Sequence, residues 1–173
     1  AIAPTGDIYV GDGYGSSYVN VYSPKGEWKF TFGGKGKDAG QLDCPHGITV
    51  DLRDNNPRLL IADRGNNRLQ YFSLDGKHLS FAGQGDVKMP CHFDQRKGML
   101  LIPDLEARVT LLDASNKVAA QLCDDPSKTW GQLRKKPRDK FIPGKFICPH
   151  GACFDRDGNI FVVEWVEVGR VTK

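Results

Sequence analysis

One pattern recurs four times and limits what this chain can fold into: IYVGDGYGSSYVNVYSPKG at 8–26, LLIADRGNNRLQYFSLDG at 59–76, LLIPDLEARVTLLDASN at 100–116 and IFVVEWVEVGRVTK at 160–173. Each copy is built around an acidic residue, and these anchors, Asp12, Asp63, Asp104 and Glu164, follow one another at intervals of 51, 41 and 60 residues. An apolar run ends at the anchor, a polar loop follows, and an alternating run such as Arg68-Leu69-Gln70-Tyr71-Phe72 begins, which reads as strand, short loop, strand. Ahead of three copies stands a further short run beginning near a proline (Pro45, Pro90, Pro149), and behind two stands an alternating run after Gly26 or Gly76. A full unit is therefore about four short antiparallel strands in roughly 40 to 45 residues, the period of a β-propeller blade. The expected fold is all-β, with blade units at about 1–34, 44–83, 87–123 and 146–173 in a single domain spanning 1–173.

The first and last units look incomplete. Residues 1–7 match only the end of an innermost strand, and the chain reaches Lys173 in the middle of a third strand. Such ends either pair with each other to close a ring or belong to a larger propeller. In both cases open blade edges call for a cover, from self-association or from missing blades. The stretch 124–145 breaks the repeat and reads as an inserted loop. Its Arg134, Lys135, Lys136, Arg138 and Lys140 offer a contact to a polyanion or, the more usual fate of such a run, a solvated surface.

Composition removes several function classes. No uninterrupted apolar run in the 173 residues approaches the roughly 18 to 20 needed for a membrane-spanning helix, so no membrane role is expected. A net charge of +3 with acidic and basic residues interspersed gives no basic face, and nucleic acid is not favoured as a partner. The five cysteines, Cys44, Cys91, Cys123, Cys148 and Cys153, form neither a CxxC knuckle nor a dense disulfide framework.

The units around IADRGNNRLQYF and YVGDGYGSSYVNVYSPKGEW resemble NHL repeats, over nearly the whole chain except 124–145. More narrowly, DGYGSSYVNVYSPKGEW, GQLDCPHGITV, IADRGNNRLQYF and CPHGACFDRDGNIFVVE together resemble the catalytic domain of peptidyl-α-hydroxyglycine α-amidating lyases. That resemblance implies a propeller of usually six blades, of which about four are here. It also implies a zinc ion on the axis and a reaction that splits a carbinolamide into an amide and glyoxylate. His46 and His150 are similar to two of the family's three zinc-ligating histidines. Tyr14 matches the catalytic tyrosine, and Arg64 an arginine that binds the substrate carboxylate. The third zinc histidine and a second active-site arginine would lie before Ala1. The cysteine that follows the tyrosine in the family is Gly15 here, and an expected loop arginine is Tyr18.

The residues themselves leave alternatives open. Zinc takes neutral imidazole and, at catalytic sites, three protein ligands plus one open position. The identical Cys-Pro-His-Gly tetrapeptides at 44–47 and 148–151 supply two candidates, His46 and His150, although Pro-His-Gly could equally just start an innermost strand. In the third unit proline is followed by Cys91, and His92 is shifted by one place. Cys44 and Cys148 read as small buried residues more readily than as soft ligands. A phenol, which ordinarily titrates near pH ~10, is a useful general base only beside a cation; without one, Tyr14 would just cover the axis between Gly13 and Gly15. Arg64 offers a planar fork for a carboxylate or an ion pair to Asp63 or Asp12. Arg68, Arg108 and Arg170 recur after the anchors and read as structural bridges.

Two functions follow. One is a zinc-dependent lyase, or a related hydrolase, acting on a small carboxylate-bearing molecule or peptide C-terminus, with calcium conceivable as a structural ion and with an extracellular or periplasmic setting favoured by the resemblance. The other is a non-enzymatic NHL propeller that binds a ligand or protein.

Overall fold

The computed structural model describes residues 1–123 and 130–173. They divide into two compact units, Ala1–Gly85 and Asp86–Lys173. Both are built of antiparallel sheets of three or four strands, the make-up of propeller blades.

The first unit holds two sheets. Strands β1 (Ile8–Gly11), β2 (Tyr18–Tyr22) and β3 (Trp28–Gly33) pair in chain order, with an isolated bridge from Ile2 to Ile8 where a fourth strand would stand. Strands β4 (Pro45–Asp51), β5 (Arg58–Asp63), β6 (Arg68–Phe72) and β7 (His78–Ala82) make a complete four-stranded sheet. Tyr9, Val19, Val21, Leu42, Val50, Leu59, Ile61 and Phe72 are buried together between them.

The second unit repeats the plan. Strands β8 (Asp94–Arg96), β9 (Met99–Asp104), β10 (Arg108–Leu112) and β11 (Val118–Leu122) form one sheet, and β12 (Pro149–Phe154), β13 (Ile160–Glu164) and β14 (Arg170–Thr172) the other. Leu101, Val109, Phe146, Ala152 and Val162 form one buried cluster, and Cys91, Leu105, Ile147, Cys148 and Val166 a second. Leu59 to Ala62 and Leu100 to Ile102 are all fully buried, so these second strands read as continuous apolar runs where a half-exposed strand would alternate.

The hairpin turns show why the chain reverses where it does. Gly26, Gly76, Asn116 and Gly158 have positive φ, and their N–H groups donate to the carbonyls of Ser23, Ser73, Asp113 and Asp155 at 2.9, 3.0, 3.0 and 3.2 Å. That is a turn closed by a left-handed residue, the conformation glycine and asparagine adopt at least cost.

Of the stretch expected as an inserted loop, residues 124–129 lie outside the described residues. The remainder carries a short helix, α1 (Trp130–Leu133), and a 3₁₀ turn, Arg138–Lys140. Arg134 donates to the Trp165 carbonyl, and Arg138 to those of Val168 and Gly169, while Lys135, Lys136 and Lys140 are exposed. Among the described residues no helix is long and apolar enough to cross a membrane.

A buried ionic knot at the end of β4 adds a pH dependence. Asp51 accepts from Arg53 Nε and Nη2 at 3.0 and 2.8 Å and from Tyr71 Oη at 2.7 Å. Burial raises the carboxyl, but the hydrogen bonds from Arg53 and Tyr71 and the Arg53 charge outweigh it, leaving Asp51 below the usual carboxylate range. A carboxyl depressed in the folded state stabilises fully above its unfolded pKa of about 3.9 and loses that contribution as pH falls through the folded value. Urea unfolding from pH 7 downward should therefore show stability dropping below about pH 4 in the wild type. In Asp51→Asn the protein should start less stable at pH 7 and lose less on acidification. An unchanged acid limb in that variant would contradict the assignment.

Candidate functional site

The acidic anchors set the geometry of the candidate site, and they act on backbone. Asp63 ends β5 and accepts from the Asp43 N–H at 2.7 Å; Asp104 ends β9 and accepts from the Lys88 and Met89 N–H groups at 2.5 and 2.9 Å; Glu164 ends β13 and accepts from the Ile147 and Cys148 N–H groups at 2.5 and 3.2 Å. In each case the carboxylate holds the segment that leads into the innermost strand. The prolines then fall in one register: Pro45 opposite Asp63, Pro90 opposite Asp104 and Pro149 opposite Glu164. The expected arginine bridges form from Arg68 Nε to Asp63, at 2.7 Å, and from Arg170 Nε to Glu164. Arg108 Nη2 donates to the Asp86 carbonyl at 2.6 Å.

Asp12 behaves differently. It lies one residue beyond β1, is exposed, and accepts from the Ser16 N–H and Oγ at 2.8 and 2.7 Å. These bonds lower its carboxyl below the ordinary range, the Ser16 N–H first among them. A Cβ on Gly15 would meet both Asp12 oxygens at 2.5 Å, so a side chain there would have to displace this cap.

In the first unit the structure brings together Tyr14, His46 and Arg64. The β1–β2 loop carries Tyr14, which is 81% exposed, and crosses the start of β4 so closely that a Cβ on Gly13 would stand 2.3 Å from the Pro45 carbonyl oxygen. Only glycine permits that approach. The Tyr14 and His46 rings lie edge to face, centroids 6.1 Å apart. Arg64, buried in the 3₁₀ turn after β5, donates from Nη2 to Tyr14 Oη at 2.9 Å and to Cys44 Sγ at 3.1 Å, with its guanidinium carbon 5.2 Å from the Tyr14 ring centroid. Cys44, at φ 51°, also donates its N–H to Ser17 Oγ at 3.3 Å.

In the second unit His150 is the second residue of β12. It lines a cavity of about 270 Å³ together with His92, Phe161 and Val163, and its ring stands 6.2 Å from that of Trp165. Cys91, fully buried, has its Sγ within 4.8 Å of a His150 ring nitrogen. Cys148 is buried in the apolar cluster, and burial pushes its thiol up to about 11, which fits a neutral buried side chain. Sequence reasoning passed over Cys91 as a site residue, yet the signal was there: it follows Pro90 as His46 follows Pro45 and His150 follows Pro149.

No family model matches the chain. It is 35% identical over 82 residues to peptidyl-glycine alpha-amidating monooxygenase of Mus musculus, covering 44% of this chain and 8% of that protein. It is also 48% identical over 50 residues to protein lin-41 of Caenorhabditis elegans, covering 29% of this chain and 4% of that one. Among solved structures, virginiamycin B lyase from Staphylococcus aureus superposes with a TM-score of 0.66 at 14% identity, over 99% of this chain and 53% of that one. The chain thus spans a small part of the curated relatives it matches and about half of this structural neighbour. At 14% identity the structural likeness shows the fold. With the sequence likeness, the chain is an NHL-like β-propeller in fold class.

Proposed function

We propose that this NHL-like propeller is a zinc-dependent lyase that cleaves peptidyl-α-hydroxyglycine to a peptide amide and glyoxylate. Tyr14 would move the proton, Arg64 would hold the substrate carboxylate, and His46 and His150 would ligate the metal. The observation that carries the reading is the Arg64 to Tyr14 hydrogen bond of 2.9 Å beside the His46 ring. The likeness to the mouse amidating enzyme supports it. The donor set suits zinc, since imidazole is one of its ordinary ligands and the two histidines start strands held by buried carboxylates. Bound zinc would polarise the carbinol oxygen.

The Tyr14 side-chain oxygen takes the carbinol O–H proton. The O–H electron pair becomes the new carbonyl bond as the carbon–nitrogen bond breaks. The phenol then returns the proton to the departing amide nitrogen, so the step consumes neither water nor a redox partner. A guanidinium's planar fork matches the glyoxylate-forming carboxylate, and its bond to Tyr14 ties the anion-binding group to the proton carrier.

Metal analysis of the purified chain tests the proposal. Roughly one zinc per chain is expected, lost in His46→Ala. A protein that neither retains nor takes up zinc would overturn the proposal and favour the other reading, a ligand- or protein-binding NHL platform.

A further inference from the structure

We propose that Cys91 is a further ligand of the metal, so that the centre carries a thiolate beside imidazole. This inference rests on the zinc reading above and deepens it.

The proline opposite each acidic anchor marks the same point of the innermost strand in three sheets, and the residue after it is His46, Cys91 and His150 in turn. The exposed His92, which looks in the sequence like the displaced member of the series, is one place further on. The Cys91 N–H donates to the Pro103 carbonyl at 3.0 Å, and the Leu105 N–H to the Met89 carbonyl at 3.1 Å, which fixes the backbone on both sides of the thiol.

Cys91 Sγ and a His150 ring nitrogen lie within 4.8 Å. Zinc bonds of about 2.3 Å to sulfur and 2.0 to 2.1 Å to nitrogen at a tetrahedral angle place the two ligand atoms about 3.6 Å apart. A small rotation of either side chain closes that gap, and the cavity of about 270 Å³ beside His150 gives room for it.

A bare thiolate among Leu105, Ile147 and Val166 would be costly, whereas a metal-bound one is neutralised where it sits. A sulfur–nitrogen pair selects a borderline-soft ion such as zinc over the oxygen-seeking magnesium or calcium.

Cobalt(II) loaded in place of zinc makes the thiolate visible, because sulfur bound to cobalt gives an intense near-ultraviolet charge-transfer band that imidazole does not. Wild type is expected to show the band. Cys91→Ser should lose it and bind zinc more weakly by more than the roughly 10- to 100-fold that removing a ligand-orienting partner costs. Cys91→His should restore binding without the band. If Cys91→Ser does not fold, a band retained in each of Cys44→Ser, Cys123→Ser, Cys148→Ser and Cys153→Ser still assigns it to Cys91. Cobalt that binds, depends on His150 and shows no thiolate band would overturn the inference and leave the lyase proposal standing. Failure to bind cobalt or zinc at all would overturn both.

Discussion

Replacing Asp63 with Ala is expected to destabilise the protein by ~3–5 kcal/mol, the cost of stripping one partner from a buried, hydrogen-bonded charge. The Asp63 carboxylate is fully buried and accepts from the Asp43 N–H at 2.7 Å, Arg68 Nε at 2.7 Å, Gln70 Nε2 at 2.8 Å and Asn66 Nδ2 at 3.0 Å. Alanine would leave these donors facing a void, with the Arg68 charge only 11% exposed and uncompensated. Because Asp63 also precedes the turn that aims Arg64 at Tyr14, any activity should fall with stability. Urea unfolding curves measure the loss. A midpoint that hardly moves would show that the anchor contributes no more than a surface ion pair.

Tyr14→Phe should separate chemistry from folding. The hydroxyl is the only group removed, and a general acid–base group contributes typically ~10²- to 10⁴-fold to turnover. The expected result is a fall in kcat of that order, with KM and thermal stability close to wild type, since Tyr14 is 81% exposed. Retention of near-normal kcat would assign the proton transfer elsewhere. A parallel collapse of stability would make Tyr14 a structural cover for Arg64.

Much of the fold was legible because each blade repeats the same local solutions. The apolar runs 59–62 and 100–102 became buried strands, and the Ser/Asp-x-x-Gly/Asn tetrads became turns with a left-handed fourth residue. The acidic anchors were visible as a recurrence, but their purpose was not: they hold backbone N–H groups ahead of the innermost strand, a partnership spanning 15 to 20 residues that no local pattern displays. Asp12 shows the limit of the repeat. Its carboxylate accepts from the Ser16 N–H and hydroxyl, where the other three anchors hold backbone ahead of the innermost strand. At the candidate site, Tyr14 and Arg64 could be named from the family resemblance, whereas their contact depends on Gly13 passing over Pro45. Cys91 follows its proline as His46 and His150 follow theirs, and the pairing of Pro90 with Asp104 puts it in the same register.

The most direct test of the central claim is product formation from a peptide ending in α-hydroxyglycine, incubated with the zinc-loaded chain, with amide and glyoxylate quantified together. The account predicts equimolar amide and glyoxylate, formed faster than in buffer with free zinc, abolished by chelation and by His46→Ala, and strongly reduced in Tyr14→Phe. Zinc-loaded protein that gives no more glyoxylate than free zinc, or whose Tyr14→Phe variant is as active as wild type, would contradict it.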